Sequence, residues 1–147
     1  MDINVKIKVL AKEGAILPVY KTGGAAGADV CAFIQTETVL SPLERLLVPT
    51  GLFFEIPDGF EIQVRPRSGL AYKNGITVLN SPGTIDSDYR GELKILLVNM
   101  SNEAFTIHPG DRIAQIVLAP VTIANWEKAA FLSESERGES GFGSTGM

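Results

Sequence analysis

The chain has very few of the residues that build cross-links and metal sites: its 147 residues include one cysteine, Cys31, and one histidine, His108. A single cysteine excludes an internal disulfide and any zinc site made of several cysteines, and a single histidine excludes the usual histidine-rich catalytic metal sites. Cys31 stands among apolar residues, which predicts a small side chain in the core. His108 opens a His-Pro-Gly-Asp turn sequence, which predicts a surface position.

Long hydrophobic runs and an excess of basic residues are also absent. No apolar run has the length of a signal-peptide core or a membrane-spanning helix. The net charge of -4 argues against a broad surface for nucleic acid. These absences predict a cytoplasmic protein that binds neither membranes nor nucleic acid. An anionic ligand would have to be small, and local arginines, backbone N–H groups or a metal ion would have to bind it.

The hydrophobic residues that are present, 45% of the chain, suit a single domain with a buried core. They occur in short β-prone segments separated by turn sequences. These segments cover residues 5–9, 30–33, 38–40, 45–48, 52–56, 60–64, 76–79, 93–99, 104–107, 113–119 and 121–126. Helical periodicity is limited to residues 68–73, where Ser68 is the predicted N-cap. The pattern predicts an all-β antiparallel sandwich or barrel.

The last fifteen residues differ in composition from the rest of the chain. Serine, glutamate and glycine dominate there, and these residues cannot bury enough surface to fold alone. The predicted organisation is therefore a domain over residues 1–132 and a flexible arm over residues 133–147. Near its end the arm carries an arginine, a phenylalanine and a Ser-Thr pair among glycines, which can bind phosphate and cover a flat ring. This pattern suggests a lid for a nucleotide.

A turn sequence rich in ionisable residues, Gly-Thr-Ile-Asp-Ser-Asp-Tyr-Arg-Gly-Glu at residues 83–92, interrupts apolar sequence that resembles buried strands. We expect its first acid, Asp86, to lie on a loop attached to a rigid strand. A carboxylate held in this way can orient and deprotonate a water molecule. The alternative is a solvated acidic turn, which a lone Asp-Ser-Asp sequence would favour.

Four further stretches suit close backbone approach or anion contact. They are Ala-Gly-Ala-Asp at 26–29, Arg-Pro-Arg-Ser-Gly-Leu-Ala at 65–71, Asn80 with its following turn, and Gly-Asp-Arg-Ile-Ala-Gln at 110–115. Each alone has a simpler interpretation: an ordinary turn, a capped helix start, or a surface ion pair between Asp111 and Arg112. The chain has neither a phosphate-binding P-loop motif nor the dinucleotide-binding glycine pattern. In order and wording, these stretches, the acidic turn and the tail resemble the five motifs of the trimeric dUTP pyrophosphatase (dUTPase) family. The resemblance runs from about residue 18 to residue 146.

The resemblance implies a fold and an assembly. The expected fold is an all-β, single-domain, jelly-roll-like β-barrel, the dUTPase-like β-clip, with a flexible C-terminal arm. The expected assembly is a homotrimer with active sites at subunit interfaces, each closed by the arm of a neighbouring subunit. The implied reaction is hydrolysis of dUTP to dUMP and pyrophosphate by water attack on the α-phosphorus, with Mg²⁺. It lowers dUTP and supplies dUMP for thymidylate synthesis.

The resemblance also assigns roles to individual residues. Asp86 is the base that activates the water, Gln115 lies near the α-phosphate, and Asp29 holds the metal through water while the substrate phosphates bind it directly. The implied substrate contacts are Arg67, Ser68 and Gly69 to phosphate; Asn80, Gly83, Thr84 and Ile85 to uracil; Tyr89 to the deoxyribose, where it excludes a 2'-hydroxyl; Phe142 stacked on uracil; and Arg137, Gly143, Ser144 and Thr145 to the γ-phosphate.

Three other interpretations stay open at this point. A dCTP deaminase, alone or combined with a pyrophosphatase, shares the fold, although Asn80, Tyr89 and Phe142 favour the uracil enzyme. A non-catalytic nucleotide-binding or regulatory protein could use the same scaffold. A plain structural β-sandwich with acidic turns and a loose tail is the simplest alternative.

Ser140 departs from the sequence pattern of the dUTPase family, whose members often have glycine at this position.

Overall fold

A computed structural model of the chain describes residues 3–143, which form ten β-strands and one α-helix. The strands are β1 (Lys8–Ala11), β2 (Ala28–Cys31), β3 (Thr38–Leu40), β4 (Arg45–Glu55), β5 (Phe60–Arg65), β6 (Ile76–Val78), β7 (Gly83–Ile85), β8 (Glu92–Asn99), β9 (Phe105–Ile107) and β10 (Arg112–Pro120). The helix is α1 (Ser68–Asn74). The predicted all-β class is confirmed.

The strands pair antiparallel in three sheets. One four-stranded sheet has the order β1-β4-β8-β6, the other has the order β2-β10-β5-β7, and β3 pairs with β9. This jelly-roll-like arrangement confirms the predicted fold. Over residues 3–143 the hydrogen-bonded ladders stay within each sheet, so the two large sheets face each other without closing into one continuous barrel.

A single core fills the space between the sheets. Along β5, Ile62 and Val64 are buried, while the intervening Gln63 is more exposed, and β8 buries Leu93 and Ile95 on either side of an exposed lysine. This alternation is typical of strands with one face against a core. Buried residues of both large sheets and of the β3–β9 pair belong to one cluster, which fixes the strands that carry the site.

The predicted strands at 45–48 and 52–56 form one strand, β4, rather than two strands separated by a turn. Its pairing register with β8 shifts between Pro49 and Phe53. At this bulge the Thr50 hydroxyl donates to the Leu93 carbonyl at 2.6 Å, and the Gly51 N–H donates to the Glu92 carboxylate at 2.9 Å. Side chains thus replace the missing ladder bonds, and glycine accommodates the φ of +72° at the bulge.

The predicted short helix is confirmed, but its predicted N-cap is wrong. Ser68 is the first helical residue, Arg67 has the N-cap position, and no side chain caps the helix there. The helix ends at Gly75, whose left-handed conformation directs its N–H to the carbonyls of Leu70 and Ala71.

The predicted strand at residues 121–126 is wrong. Val121 still donates its N–H to the Gly59 carbonyl, but no strand follows, and the side chains of Ile123 and Trp126 are exposed. The side chains of Ile123 and Trp126 therefore do not pack against the core of this chain. Among residues 3–143, no helix is long and apolar enough to cross a bilayer.

The predicted burial of Cys31 is wrong, whereas the predicted exposure of His108 is confirmed. The alternation of β2 buries Ala28 and Val30 and leaves Cys31 half-buried on the other face, so its predicted core position is wrong. Burial, and secondarily the negative charge of Asp29, raises the pKa of the Cys31 thiol. His108 is exposed as predicted, and its Nε2 lies 3.3 Å from Glu37 Oε1.

Candidate functional site

Strand pairing brings Asp29 and Gln115 together. Asp29 of β2 lies directly opposite Gln115 of β10, which in turn lies opposite Arg65 of β5. Directly opposed residues of an antiparallel pair project to the same face of the sheet. The neighbours of Asp29 on β2, Ala28 and Val30, face the core, so this acid and this amide lie on the outer face.

Two arginines hold the Asp29 carboxylate. Its Oδ1 lies 3.5 Å from Arg67 Nε, and its Oδ2 lies 3.5 Å from Arg112 Nη1. Arg67 also donates from Nη1 to the Arg112 carbonyl at 3.3 Å. The Asp29 side chain is 13% exposed, whereas that of Arg112 is 45% exposed. One acid therefore gathers two guanidinium groups at the surface of an acidic chain, which creates a local site for an anion.

Arg112 is a candidate functional residue that the sequence-based assignment missed. A surface ion pair with Asp111 was the simpler interpretation of this stretch, but Asp111 instead accepts the backbone N–H of His108 at 2.8 Å. Arg112 turns to Asp29, a residue more than eighty positions earlier in the chain. The only signal in the sequence was its place inside the Gly-Asp-Arg-Ile-Ala-Gln stretch.

Gln115 is fixed by the loop between β5 and the helix. Its Nε2 donates to the Pro66 carbonyl at 3.0 Å. A Cβ on Gly27 would lie 2.9 Å from Gln115 Cδ, so the amide occupies the space above this glycine. Ser68 and Gly69 begin the helix two residues after Pro66 and are exposed. We call Asp29, Arg67, Ser68, Gly69, Arg112 and Gln115 the anion cluster; all of them except Arg112 had been assigned to phosphate, water or the metal from the sequence.

A second group of assigned residues lies on β7 and its flanking turns. The strand β7, which we expected to be loop, pairs with β5 and places Gly83 opposite Val64. Gly83 is buried, and a Cβ there would lie 3.2 Å from Val64 Cβ and 3.4 Å from Asn80 Nδ2. The Asn80 amide thus lies close to the backbone of β7, while Thr84 is exposed and Ile85 is half-buried.

Asp86 begins a tight turn after β7. Its carbonyl accepts the Tyr89 N–H at 3.1 Å, and Arg90 Nη1 donates to the Ser87 carbonyl at 2.7 Å. These bonds fix the turn while the Asp86 side chain stays exposed. Asp86 and Tyr89 line an open cavity of about 430 Å³ together with Leu47, Thr84, Ile85, Glu92 and Lys94. We call Asn80, Gly83, Thr84, Ile85, Asp86 and Tyr89 the β7 segment.

The anion cluster and the β7 segment lie at different places on the same sheet. Gln115 pairs with Arg65 on one side of β5, whereas Ile85, the residue before Asp86, pairs with Ile62 on the other side. With a rise of about 3.3 Å per residue and about 4.8 Å between strands, the α-carbons of Asp86 and Gln115 are about 16 Å apart. Within one chain, these two side chains cannot contact the same phosphorus atom.

The described part of the arm has only local hydrogen bonds. Arg137 Nε donates to the Ser140 carbonyl at 2.7 Å, and the Gly138 N–H donates to the Ser135 hydroxyl at 3.1 Å. Phe142 is fully exposed, and Gly143 has a φ of +79°. The predicted γ-phosphate residues Ser144 and Thr145 lie outside the described residues.

The side chains present fit a metal ion held mainly by another ligand. Over residues 3–143, no group of three or more His, Cys, Asp or Glu side chains could hold a metal ion. Asp29, the residue assigned to the metal, already has an arginine 3.5 Å from each oxygen. A Mg²⁺ ion that keeps its waters and binds phosphate oxygens needs only such a single nearby carboxylate.

Comparisons with known proteins agree with this architecture. The dUTPase family model matches residues 13–146. The deoxyuridine 5'-triphosphate nucleotidohydrolase of Treponema denticola is 60% identical over 147 residues, which are 100% of this chain and 99% of the relative.

Two solved structures are also similar. A mutant dUTPase of Staphylococcus bacteriophage 80alpha, solved with dUpNHpp, superimposes with a TM-score of 0.86 at 26% identity and covers 98% of this chain and 100% of its own. A mutant dUTPase from phage phi11 of S. aureus, described as coordinating a structural Mg(II) ion, has a TM-score of 0.78 at 22% identity and covers 88% of this chain and 100% of its own. The family match along nearly the whole chain and the identity to the Treponema enzyme show that the chain belongs to the dUTPase family of deoxyuridine triphosphate hydrolases.

Proposed function

We propose that this chain hydrolyses dUTP to dUMP and pyrophosphate by water attack on the α-phosphorus, with Asp86 as the general base. The observation that carries the proposal is the Asp86 turn, which hydrogen bonds fix while its carboxylate stays exposed at an open cavity. A carboxylate held in this way accepts a proton from a water that attacks a bound ester. The proton of the water passes to Asp86, and pyrophosphate leaves with the electrons of the broken P–O bond.

The anion cluster binds the triphosphate. A triphosphate brings about four negative charges to a chain that is itself acidic, so positive groups must be gathered locally. Arg67 and the backbone N–H groups of Ser68 and Gly69 are the proposed phosphate donors, and Gln115 orients the water near the α-phosphate. In the arm, Arg137, Gly143, Ser144 and Thr145 are the proposed γ-phosphate contacts.

The β7 segment selects the base and the sugar. Asn80 and the backbone of Gly83, Thr84 and Ile85 offer donors and acceptors to the edge of uracil. The Tyr89 ring lies against the deoxyribose and leaves no space for a 2'-hydroxyl. Phe142 of the arm stacks on the base, as an aromatic side chain does on a flat ring.

Mg²⁺ is the proposed cofactor. Asp29 would contact it through water, and the substrate phosphates would hold it directly. When bound there, the ion neutralises charge on the phosphate oxygens. Arg67 and Arg112 hold the Asp29 carboxylate in place for this contact.

A homotrimer with sites at subunit interfaces is the proposed assembly. Its support is the separation of about 16 Å between Asp86 and Gln115, estimated from strand geometry. The exposed apolar side chains of the C-terminal segment, Ile123, Trp126 and Phe131, add to it, because large apolar groups of this kind are typical of surfaces that pack against a partner. The β7 segment of one subunit, the anion cluster of another and an arm would then surround one nucleotide.

The test of the proposed reaction is pyrophosphate release from dUTP, dCTP, dTTP and UTP, with Mg²⁺ and with a chelator. We expect release from dUTP alone, and much less with the chelator. Ammonia released from dCTP would instead indicate a deaminase, and no pyrophosphate from dUTP would contradict the proposal.

The role of Asp86 has a matched control in the same turn. Asp86→Asn keeps the shape and removes the base, so we expect turnover to fall by about 10³-fold while nucleotide affinity changes little. Asp88→Asn alters a second exposed acid of the turn and should keep most of the activity. Equal turnover in the Asp86 variant and the wild type would refute the assignment of the base.

A further inference from the structure

The space above Gly91 is filled by the ring of Tyr89. The Tyr89 hydroxyl donates to the Glu92 carbonyl at 2.9 Å, which folds the side chain back over the turn. A Cβ on Gly91 would lie 2.5 Å from Tyr89 Cζ, 2.8 Å from Cε1, and in contact with the hydroxyl oxygen. These separations are shorter than carbon atoms tolerate, so the ring can occupy this position only because residue 91 is glycine.

The backbone of Gly91 does not itself require glycine. Its φ lies outside the left-handed region, and the three atoms nearest the added Cβ all belong to the Tyr89 side chain. A tyrosine side chain can rotate about χ1, whereas packed backbone cannot move in this way. Alanine at this position would therefore displace the ring and leave the turn intact.

The other end of the ring is held by a residue that is itself fixed. The Glu92 carboxylate accepts the Gly51 N–H at 2.9 Å and lies 3.5 Å from Lys12 Nζ, and its side chain is only 11% exposed. Glu92 is also paired with Phe53 across the β4–β8 ladder. The carbonyl that receives the Tyr89 hydroxyl is thus part of the rigid sheet rather than of the turn.

We propose that Gly91 is a positioning residue that sets the sugar selectivity of the enzyme through the Tyr89 ring. This inference rests on the proposed function, in which the ring lies against the deoxyribose. Exclusion of a 2'-hydroxyl is a steric clash, and a clash depends on the position of the excluding group to a fraction of an ångström. Gly91 provides the space for the ring, and the Glu92 carbonyl holds its hydroxyl.

The test compares kcat and KM for dUTP and for UTP in Gly91→Ala. We expect the ratio of kcat/KM for dUTP to that for UTP to fall by about tenfold or more, because a displacement of about 1 Å can change a rate by 10²-fold. Gly24→Ala is the matched control, since its added Cβ would meet no atom within 4 Å and its backbone needs no positive φ. Its ratio should equal that of the wild type.

Two more variants separate positioning from a general loss of structure. If Gly91 acts through the ring, adding Gly91→Ala to Tyr89→Ala should cause no further fall in the dUTP/UTP ratio. Tyr89→Phe keeps the ring and loses its hydroxyl bond, so it should lower the ratio less than Tyr89→Ala does, and it tests the anchor even if Gly91→Ala does not fold. An unchanged ratio in Gly91→Ala, or a further fall in the double variant, would overturn the inference. A wild type that does not hydrolyse dUTP would instead refute the proposed function.

Discussion

Gly27 and Gln115 illustrate at the scale of single residues how a glycine can control a polar side chain. The Gln115 amide lies over Gly27 and donates to the Pro66 carbonyl at 3.0 Å. In Gly27→Ala the new methyl group would push the amide off this carbonyl. We expect kcat for dUTP to fall by about ten- to a hundredfold with a smaller change in KM, because orientation of the water is lost while the phosphate contacts of Arg67 remain. Steady-state kinetics of pyrophosphate release measure both constants.

Gly23→Ala serves as the control for this prediction, because no atom lies within 4 Å of its added Cβ. Its kinetics should match those of the wild type. A Gly27→Ala variant with normal kcat would show that the amide position above Gly27 does not matter for turnover.

The assigned side chains could be predicted from the sequence, but the residues that position them could not. The order and residue sequence of the motifs identify Asp86, Gln115 and Arg67. Gly27 and Gly91 read as ordinary turn glycines, because their importance comes from the side chain that packs above each of them. That information depends on the folded positions of Gln115 and Tyr89.

At the scale of elements, Asn99 joins three parts of the fold. It ends β8 and is fully buried. Its Nδ2 donates to the Leu40 carbonyl of β3 at 2.9 Å and to the Glu103 carbonyl at 2.8 Å, and its Oδ1 accepts the Ser101 N–H at 2.9 Å. One amide thus connects the small β3–β9 sheet to a large sheet.

Replacing this amide should destabilise the protein strongly. In Asn99→Ala the Leu40 carbonyl loses a donor in a buried place, and the part-buried Glu103 carbonyl and Ser101 N–H each lose a partner, so we expect the free energy of unfolding to fall by about 3 kcal/mol or more. Asn102→Ala, at an exposed position in the same loop, should change it by less than about 0.5 kcal/mol. Urea denaturation at equal protein concentration measures both values. A loss below about 1 kcal/mol in Asn99→Ala would contradict the structural role of the amide.

The elements predicted from periodicity were confirmed where the core decides the pattern, and they failed where another contact decides it. β5 and β8 alternate against the core and were predicted correctly within one residue at each end. β4 was divided in two because Pro49 and Gly51 usually indicate a turn, whereas side chains from β8 stabilise a bulge there. Residues 121–126 have the composition of a strand, but a strand also needs a partner, which local sequence does not specify.

At the scale of the whole molecule, the arm is the part whose function is easiest to separate from folding. Residues 137–140 are exposed and hydrogen-bond only to nearby residues. Deleting residues 137–147 should therefore leave the thermal unfolding temperature nearly unchanged and abolish dUTP hydrolysis, because the proposed γ-phosphate and stacking contacts would be lost. Calorimetry and a pyrophosphate assay measure the two effects. Normal turnover in the truncated protein would contradict the role of the arm as a lid.

The proposed distribution of one site over several subunits makes a prediction for mixed assemblies. Asp86→Asn lacks the base and the 137–147 deletion lacks the arm, so each variant alone should be inactive. If the β7 segment and the arm of a site come from different subunits, a mixed trimer contains sites with an intact Asp86 from the truncated chain and an intact arm from the other chain.

Random assembly from equal amounts gives each of these two conditions a chance of one half, so co-expression should restore about a quarter of the wild-type rate. Native mass spectrometry would verify that mixed trimers form, and a mixture of Asp86→Asn with full-length Asp88→Asn provides the reference in which every arm is intact. If mixed trimers form and no activity returns, then the β7 segment and the arm of each site belong to the same subunit. If only monomers are found, the proposed trimer is wrong. Asp86 and Gln115 could then not act at the same site, because the β5 ladder between them keeps them about 16 Å apart within one chain.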